Sequence, residues 1–250
     1  ANDSLLDSRN ANPYLQTHPL PRERITTLEH LVKASPYYDQ KDSPALQERH
    51  DLVRAKLIGF TWSPVQVMRR YPLSDNSLPA RYARAIAVYR NGRAADALKQ
   101  VEELTRSKPD DPYFWELDGQ ILLETGRPKE ALAPLRKAVA LAPHENLIKV
   151  LLGQALVAVG SPADASEAVR LLSAAVINYP DLPGAYRALP RAYAMQGNIP
   201  MAQLATAQGL VIEGNLEDAR IQAAKAQEKL KRGSPAWLRA DDIVSYKGAK

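Results

Sequence analysis

Four glycines set the strongest constraint on this chain. Gly92, Gly126 and Gly160 recur at intervals of 34 residues, and Gly197 follows after 37. Three prolines keep the same time: Pro109, Pro143 and Pro180, spaced by 34 and then 37. Each glycine follows a helical apolar run, where the chain must reverse through a tight or left-handed turn. Each proline stands past a second run, where its missing N–H stops a helix. Small residues recur five positions after the glycines, at Ala97, Ala131 and Ala202, which lets paired helices approach closely. In the third unit, Ala168 takes that place when counted back from Pro180. The three extra residues therefore fall within Ser161 to Ala165 and lengthen a turn.

A 34-residue period of helix pairs resembles the tetratricopeptide repeat. The second unit matches that pattern best, with Trp115, Gly119, Leu122, Ala131, Leu135, Ala138 and Pro143 in place. Asp118 departs from it where Leu is expected, and Pro190 stands where the fourth unit wants Gly. A proline inside that helix removes one hydrogen bond and is expected to bend it. The fold expected is all-α, a tetratricopeptide-repeat superhelix (α-α solenoid) with leading and capping helices. Repeats are expected at about 78–111, 112–145, 146–182 and 183–232, with a capping helix at 235–246 closing an array over 78–246. Gly214 follows Gly197 after only half a period, so helix 199–213 is expected to close the fourth unit and open a further one, completed by helix 216–231. A terminal cap is needed because a solenoid otherwise ends on an apolar face.

Residues 21–74 read as helical but off the beat. Ile25, Leu28, Leu31 and Val32 form one stripe; Leu46, His50, Val53, Leu57 and Ile58 form another. They are expected to be leading helices that cap the array or dock on a neighbouring domain, with residues 71–77 as linker. His50 is expected to be a packing residue on its stripe.

Composition excludes more than it selects. The chain has no cysteine, so disulfides and thiolate metal sites are out. Its formal charge of +5 is spread along 250 residues in short clusters such as Arg69-Arg70. Nucleic-acid binding would want a denser basic stripe with interleaved aromatics, so no nucleic-acid partner is expected. No apolar run is long enough for a transmembrane segment, and no signal peptide is visible. No catalytic site is expected in this chain, and no cofactor. His18, His30, His50 and His144 lack a second histidine four residues on; after His144-Glu145 the second ligand's place is Ile148. There is no phosphate-binding glycine loop and no nucleophile elbow.

In such arrays the first helix of each repeat lines a concave face. That register assigns Tyr82, Ile86, Tyr89 and Arg90 to a partner-binding groove in the first unit. The second unit contributes Tyr113, Glu116, Gln120 and Glu124. The third gives Leu147, Val150, Gln154 and Val157, and the fourth Arg187, Arg191 and Met195. For Val150 and Val157, packing against the next helix is an equal alternative. An extended peptide could hydrogen-bond to Gln120 and Gln154 while its side chains meet Tyr82, Tyr89 and Val150.

The stretch Asn12 to Ile25, with Thr17-His18-Pro19 and Arg24-Ile25, adds a second resemblance. It is similar to the closing segment of the protease domain in the BepA/HtpX/Oma family of zinc metallopeptidases, where a Thr-His-Pro loop precedes a helix. In BepA-type members a tetratricopeptide tail follows. The resemblance implies that residues 1–20 are an extended segment from the end of a protease domain. It also implies a periplasmic zinc endopeptidase as parent, acting in outer-membrane protein assembly and quality control, with the HExxH helix upstream of Ala1. His18 would lie near the parent's zinc, Arg24 in the protease core, and the partners would include the parent protease domain and outer-membrane assembly machinery. A free-standing tetratricopeptide scaffold unrelated to proteolysis is the alternative. A third reading, that this chain is itself a metalloenzyme, predicts stoichiometric zinc in the purified protein.

Overall fold

The computed structural model describes the backbone of residues 21–246 and the side chains from Arg24 onward. His18 and the segment 1–20 lie outside the described residues. The chain divides into two compact units, one up to His50 and one from Asp51 onward. Among the described residues there are thirteen α-helices and no strand.

The first unit holds helix α1 (Pro21–Lys33) and the start of α2 (Pro44–Thr61). The stripe Ile25, Leu28, Leu31 and Val32 is exposed, as are Leu46 and His50. The packing role expected of His50 is thus corrected. So is the stripe assigned to α2: its buried face is Leu52, Ala55, Ile58 and Gly59, while Val53 and Leu57 point to solvent. Ile58 keeps its place on the packed side, where Leu52 and the small Ala55 and Gly59 join it. A methyl group at Gly59 would lie 2.8 Å from Cβ of Ile86, so only glycine permits that approach.

The second unit continues with the short α3 (Pro64–Arg70), then α4 (Leu78–Arg90) and α5 (Ala94–Ser107). Next come α6 (Pro112–Glu124) with α7 (Pro128–Leu141), and α8 (Asn146–Val159) with α9 (Ala165–Asn178). The unit ends with α10 (Pro183–Met195), α11 (Ile199–Ile212), α12 (Leu216–Gln227) and α13 (Pro235–Ser245). Start signals are local. Ser63, Ser77, Asp111, Asn198, Asn215 and Ser234 each cap a first turn through the side chain, and Ser63 forms a full capping box with Gln66. The four beat glycines hold φ between 72° and 78°, the left-handed reversal their spacing implied. The three extra residues of the third unit appear as a 3₁₀ turn, Pro162–Asp164. Helix α12 stops at Gln227 rather than 231, ahead of the basic run Lys229 to Arg232 and Gly233.

Two rows of helices result. The first helices α4, α6, α8 and α10 touch one another in sequence, whereas the second helices pack mainly on their own and the adjacent first helices. The row whose members touch lies on the inside of the curve. Close approach within a pair is built on glycine: methyl groups at Gly119 and Gly153 would fall 2.3 Å and 2.6 Å from Cγ of Leu135 and Leu172. The fourth pair reaches the same approach differently. Pro190 occupies the glycine's place, α10 runs on through it, and the room comes from the other helix. A methyl group at Gly209 of α11 would be 3.1 Å from Cβ of Tyr186. Helix α11 also touches both α12 and α13.

Candidate functional site

The inner row carries the residues that the repeat register assigns to a groove, and their surroundings divide them. Tyr82 and Ile86 are 1% and 0% exposed. They are core, not groove lining. Ile86 sits against Gly59 of α2, and Tyr82 meets Phe114 edge-on at 5.0 Å between ring centres. Its hydroxyl donates to the carbonyl of Tyr113 over 3.4 Å. The register treats every first helix as open on the inside, but α4 is the first full one and α2 covers it. Val150 and Val157 are likewise buried, while Leu147 is exposed. Met195 is half-buried and packs on the neighbouring core.

The second unit's polar residues are already engaged with one another. Glu116 is buried and accepts from Lys56 Nζ at 2.5 Å, and that ammonium also lies 5.0 Å from the ring centre of Tyr113. Lys56 was not among the residues singled out from sequence, because α2 is off the beat and nothing in its spacing places it beside α6. Tyr89 Oη donates to Glu124, and Gln120 Nε2 donates to the other carboxylate oxygen of Glu124 at 2.8 Å. Burial and then Glu124 push the Tyr89 phenol above its usual range, so it remains a donor. Burial, with Glu145 and Glu116 nearby, raises that of Tyr113. Arg90 turns away from this network and donates to the carbonyl of Trp62 at 3.1 Å.

The fourth unit is different. Gln154 on α8 donates to the carbonyl of Gly184 on α10 at 3.0 Å. One turn and two turns further along α10 stand Arg187 and Arg191, both exposed. Among the described residues neither guanidinium has an ion-pair partner. Two cations four residues apart on one helix repel each other mildly, an arrangement that an anion between them would relieve. Of the described groove residues without an ion-pair partner, Arg90, Arg187 and Arg191 stand against Glu124, so the balance is positive, with two of the cations on α10.

Among the described residues there is no group of three or more His, Asp or Glu side chains placed to hold a metal ion. No helix among them is long and apolar enough to cross a membrane. His144, exposed in the turn before α8, stands outside the inner row.

A tetratricopeptide-repeat family profile matches residues 82–146, the stretch covering most of the first two pairs. The fold is a tetratricopeptide-repeat solenoid. Among solved structures it is similar to MamA of Desulfovibrio magneticus, at 18% identity, covering 67% of this chain and 95% of that one with a TM-score of 0.54. It is also similar to YrrB, described as a tetratricopeptide protein with an unusual peptide-binding site. That match has 18% identity, 72% and 96% coverage, and a TM-score of 0.54. At these identities the likeness is one of fold. Among curated proteins the chain is similar to the beta-barrel assembly-enhancing protease of Yersinia pestis, 23% identical over 200 residues. That match covers 73% of this chain, which spans only 38% of the relative's length.

Proposed function

We propose that the inner face of α6, α8 and α10 binds an extended peptide segment of a partner protein and holds an acidic side chain or terminal carboxylate between Arg187 and Arg191. The observation that carries this is the pair of exposed guanidinium groups without a counter-ion, in line with the amide of Gln154. The amide network at Gln120 and Glu124 continues the same face and can exchange its internal hydrogen bonds for those of a peptide backbone. Arg is suited to the role because its fork matches a carboxylate in two-point geometry.

In the reading that follows from the Yersinia relative, this module is the substrate- or partner-recognition tail of a periplasmic zinc metalloendopeptidase acting in outer-membrane protein assembly and quality control. The zinc then belongs to the parent's protease domain. Support comes from the Thr17-His18-Pro19 segment and from the match to the assembly-enhancing protease. The competing reading is a free-standing scaffold, which a fold shared with MamA and YrrB equally allows. Reading the coding sequence upstream of Ala1 separates the two: an HExxH helix there supports the protease, and its absence supports the scaffold.

The binding claim is tested with a fluorescent decapeptide rich in Asp and Glu, followed by anisotropy. The double variant Arg187→Glu/Arg191→Glu should bind at least about tenfold more weakly, a loss of about 1.4 kcal/mol, with the helical signal unchanged. Unchanged affinity would refute the assignment, and loss of helicity would make the pair structural.

A further inference from the structure

A second recess lies off this face, among α3, α4 and α5. It is a cavity of about 550 Å³, built entirely from residues of the second unit. Its apolar side is Met68, Leu73 and Val88, of which Met68 and Leu73 are 37% and 74% exposed. Its polar side carries three cations, Arg81, Arg84 and Arg93, against one carboxylate, Glu103.

Arg84 is the unusual member. It is 9% exposed, and its Nη1 donates to the carbonyls of Pro72 at 2.7 Å, Asp75 at 2.8 Å and Tyr71 at 3.4 Å. Those bonds tie down the α3–α4 connection. The carbonyls are neutral acceptors, and the charge that favours the guanidinium comes from the nearby Asp75 carboxylate. Among the described residues Arg84 has no ion-pair partner. Glu103 is drawn to Arg81, but at 3.4 Å and largely exposed, a pairing worth little. Arg93 is held by Asp96, which lies outside the lining. With Arg81, Arg84 and Arg93 against Glu103, the lining itself carries an excess of positive charge, stronger for the low-dielectric wall behind it.

We infer that this cavity is a second, separate peptide site, taking a short extended segment in which an apolar side chain is followed by a carboxylate. The apolar side chain enters between Met68, Leu73 and Val88. The carboxylate faces Arg84 and takes Arg81 from Glu103. The charge of the lining selects this occupant over a basic one. The position on α4 separates it from the inner face: Arg81, Arg84 and Val88 occupy one side of the helix, while Tyr82, Ile86 and Tyr89 occupy the other.

The test uses the whole chain, labelled with ¹⁵N, and an acetylated hexapeptide Gly-Ser-Leu-Val-Asp-Glu with a free carboxylate. Its amide shift changes should centre on Met68, Leu73, Arg81 and Val88. A peptide with Lys in place of the two acids should leave them still. Met68→Glu and Arg81→Glu should each weaken binding at least about fivefold. The Arg187→Glu/Arg191→Glu variant should leave binding at this cavity unchanged, which keeps this site distinct from the inner face. Circular dichroism confirms that each variant is folded, and Arg84 is left intact because its removal would free the loop. Shifts confined to α8 and α10, equal binding of the lysine peptide, no effect of either cavity variant, or no shifts at about 5 mM peptide would each overturn the inference.

Discussion

Asp118 stands on α6 where the repeat pattern calls for leucine, and it should cost the fold stability at neutral pH. It is half-buried, and burial first, then Glu102, raise its carboxyl from 3.8 to about 6, with Arg127 opposing. A group whose folded pKa is raised binds its proton more tightly folded than unfolded. Stability is therefore highest while Asp118 is neutral and falls as pH rises from about 4 to about 6. Above that the full penalty persists. Two pH units of displacement correspond to about 3 kcal/mol, but Asp118 is only half-buried, and screening reduces this to about 1–1.5 kcal/mol. Asp118→Asn keeps the shape and removes the charge. It should raise the melting temperature by about 2–6 °C at pH 7.5, and the gain should shrink towards zero by pH 4. Thermal melts of both proteins across that range provide the difference curve, which cancels the acids common to both. A gain independent of pH, or no gain at pH 7.5, would refute the reasoning.

Other perturbations follow from particular contacts. Gly119→Ala should destabilise by about 1–3 kcal/mol in urea unfolding, because the buried Leu135 side chain cannot retreat from a methyl group 2.3 Å away. Glu116→Ala should lose about 1–3 kcal/mol, and Lys56→Met/Glu116→Leu should recover most of it, since the double change leaves no unpaired buried charge. Gly160→Ala should lower stability by about 1 kcal/mol, because the new side chain meets no neighbour yet must hold φ at 74°. Pro190→Ala should leave the melting point within about 1 °C, since the room that Gly209 supplies persists and the restored N–H can donate to the carbonyl of Tyr186.

The turns were legible because glycine and proline act alone: a left-handed reversal or a helix stop needs no knowledge of neighbours. Hence the helix pairs from Leu78 to Asn178 fall where the 34-residue beat puts them. What the beat could not convey was cover. Tyr82 and Ile86 occupy groove positions by counting, yet both are buried: α2, which has no beat, packs its Gly59 onto Ile86, and Tyr82 meets Phe114 of α6. The neutralisation of Glu116 was hidden for the same reason, since Lys56 sits 60 residues away in sequence. The α2 stripe misled because Leu46, Val53 and Leu57 are large and catch the eye, while the face that packs is made of Leu52, Ala55, Ile58 and a glycine. Counting assigned Arg187 and Arg191 to the groove and the fold leaves both exposed, but that they lack ion-pair partners is a property of the fold around them and not of their spacing.

Helix α11 belongs to two pairings at once, closing on α10 through Gly209 and leaning on α12 and α13. A regular solenoid can lengthen because each new unit finds the same seat its predecessor found. Here the seat after Ile212 is already occupied by α12 and α13. Duplicating residues 112–145 and splicing the copy in after Glu145 would meet a matching surface, whereas the same copy spliced after Ile212 would not. Growth of this array by gene duplication is open within the middle pairs and closed after Ile212.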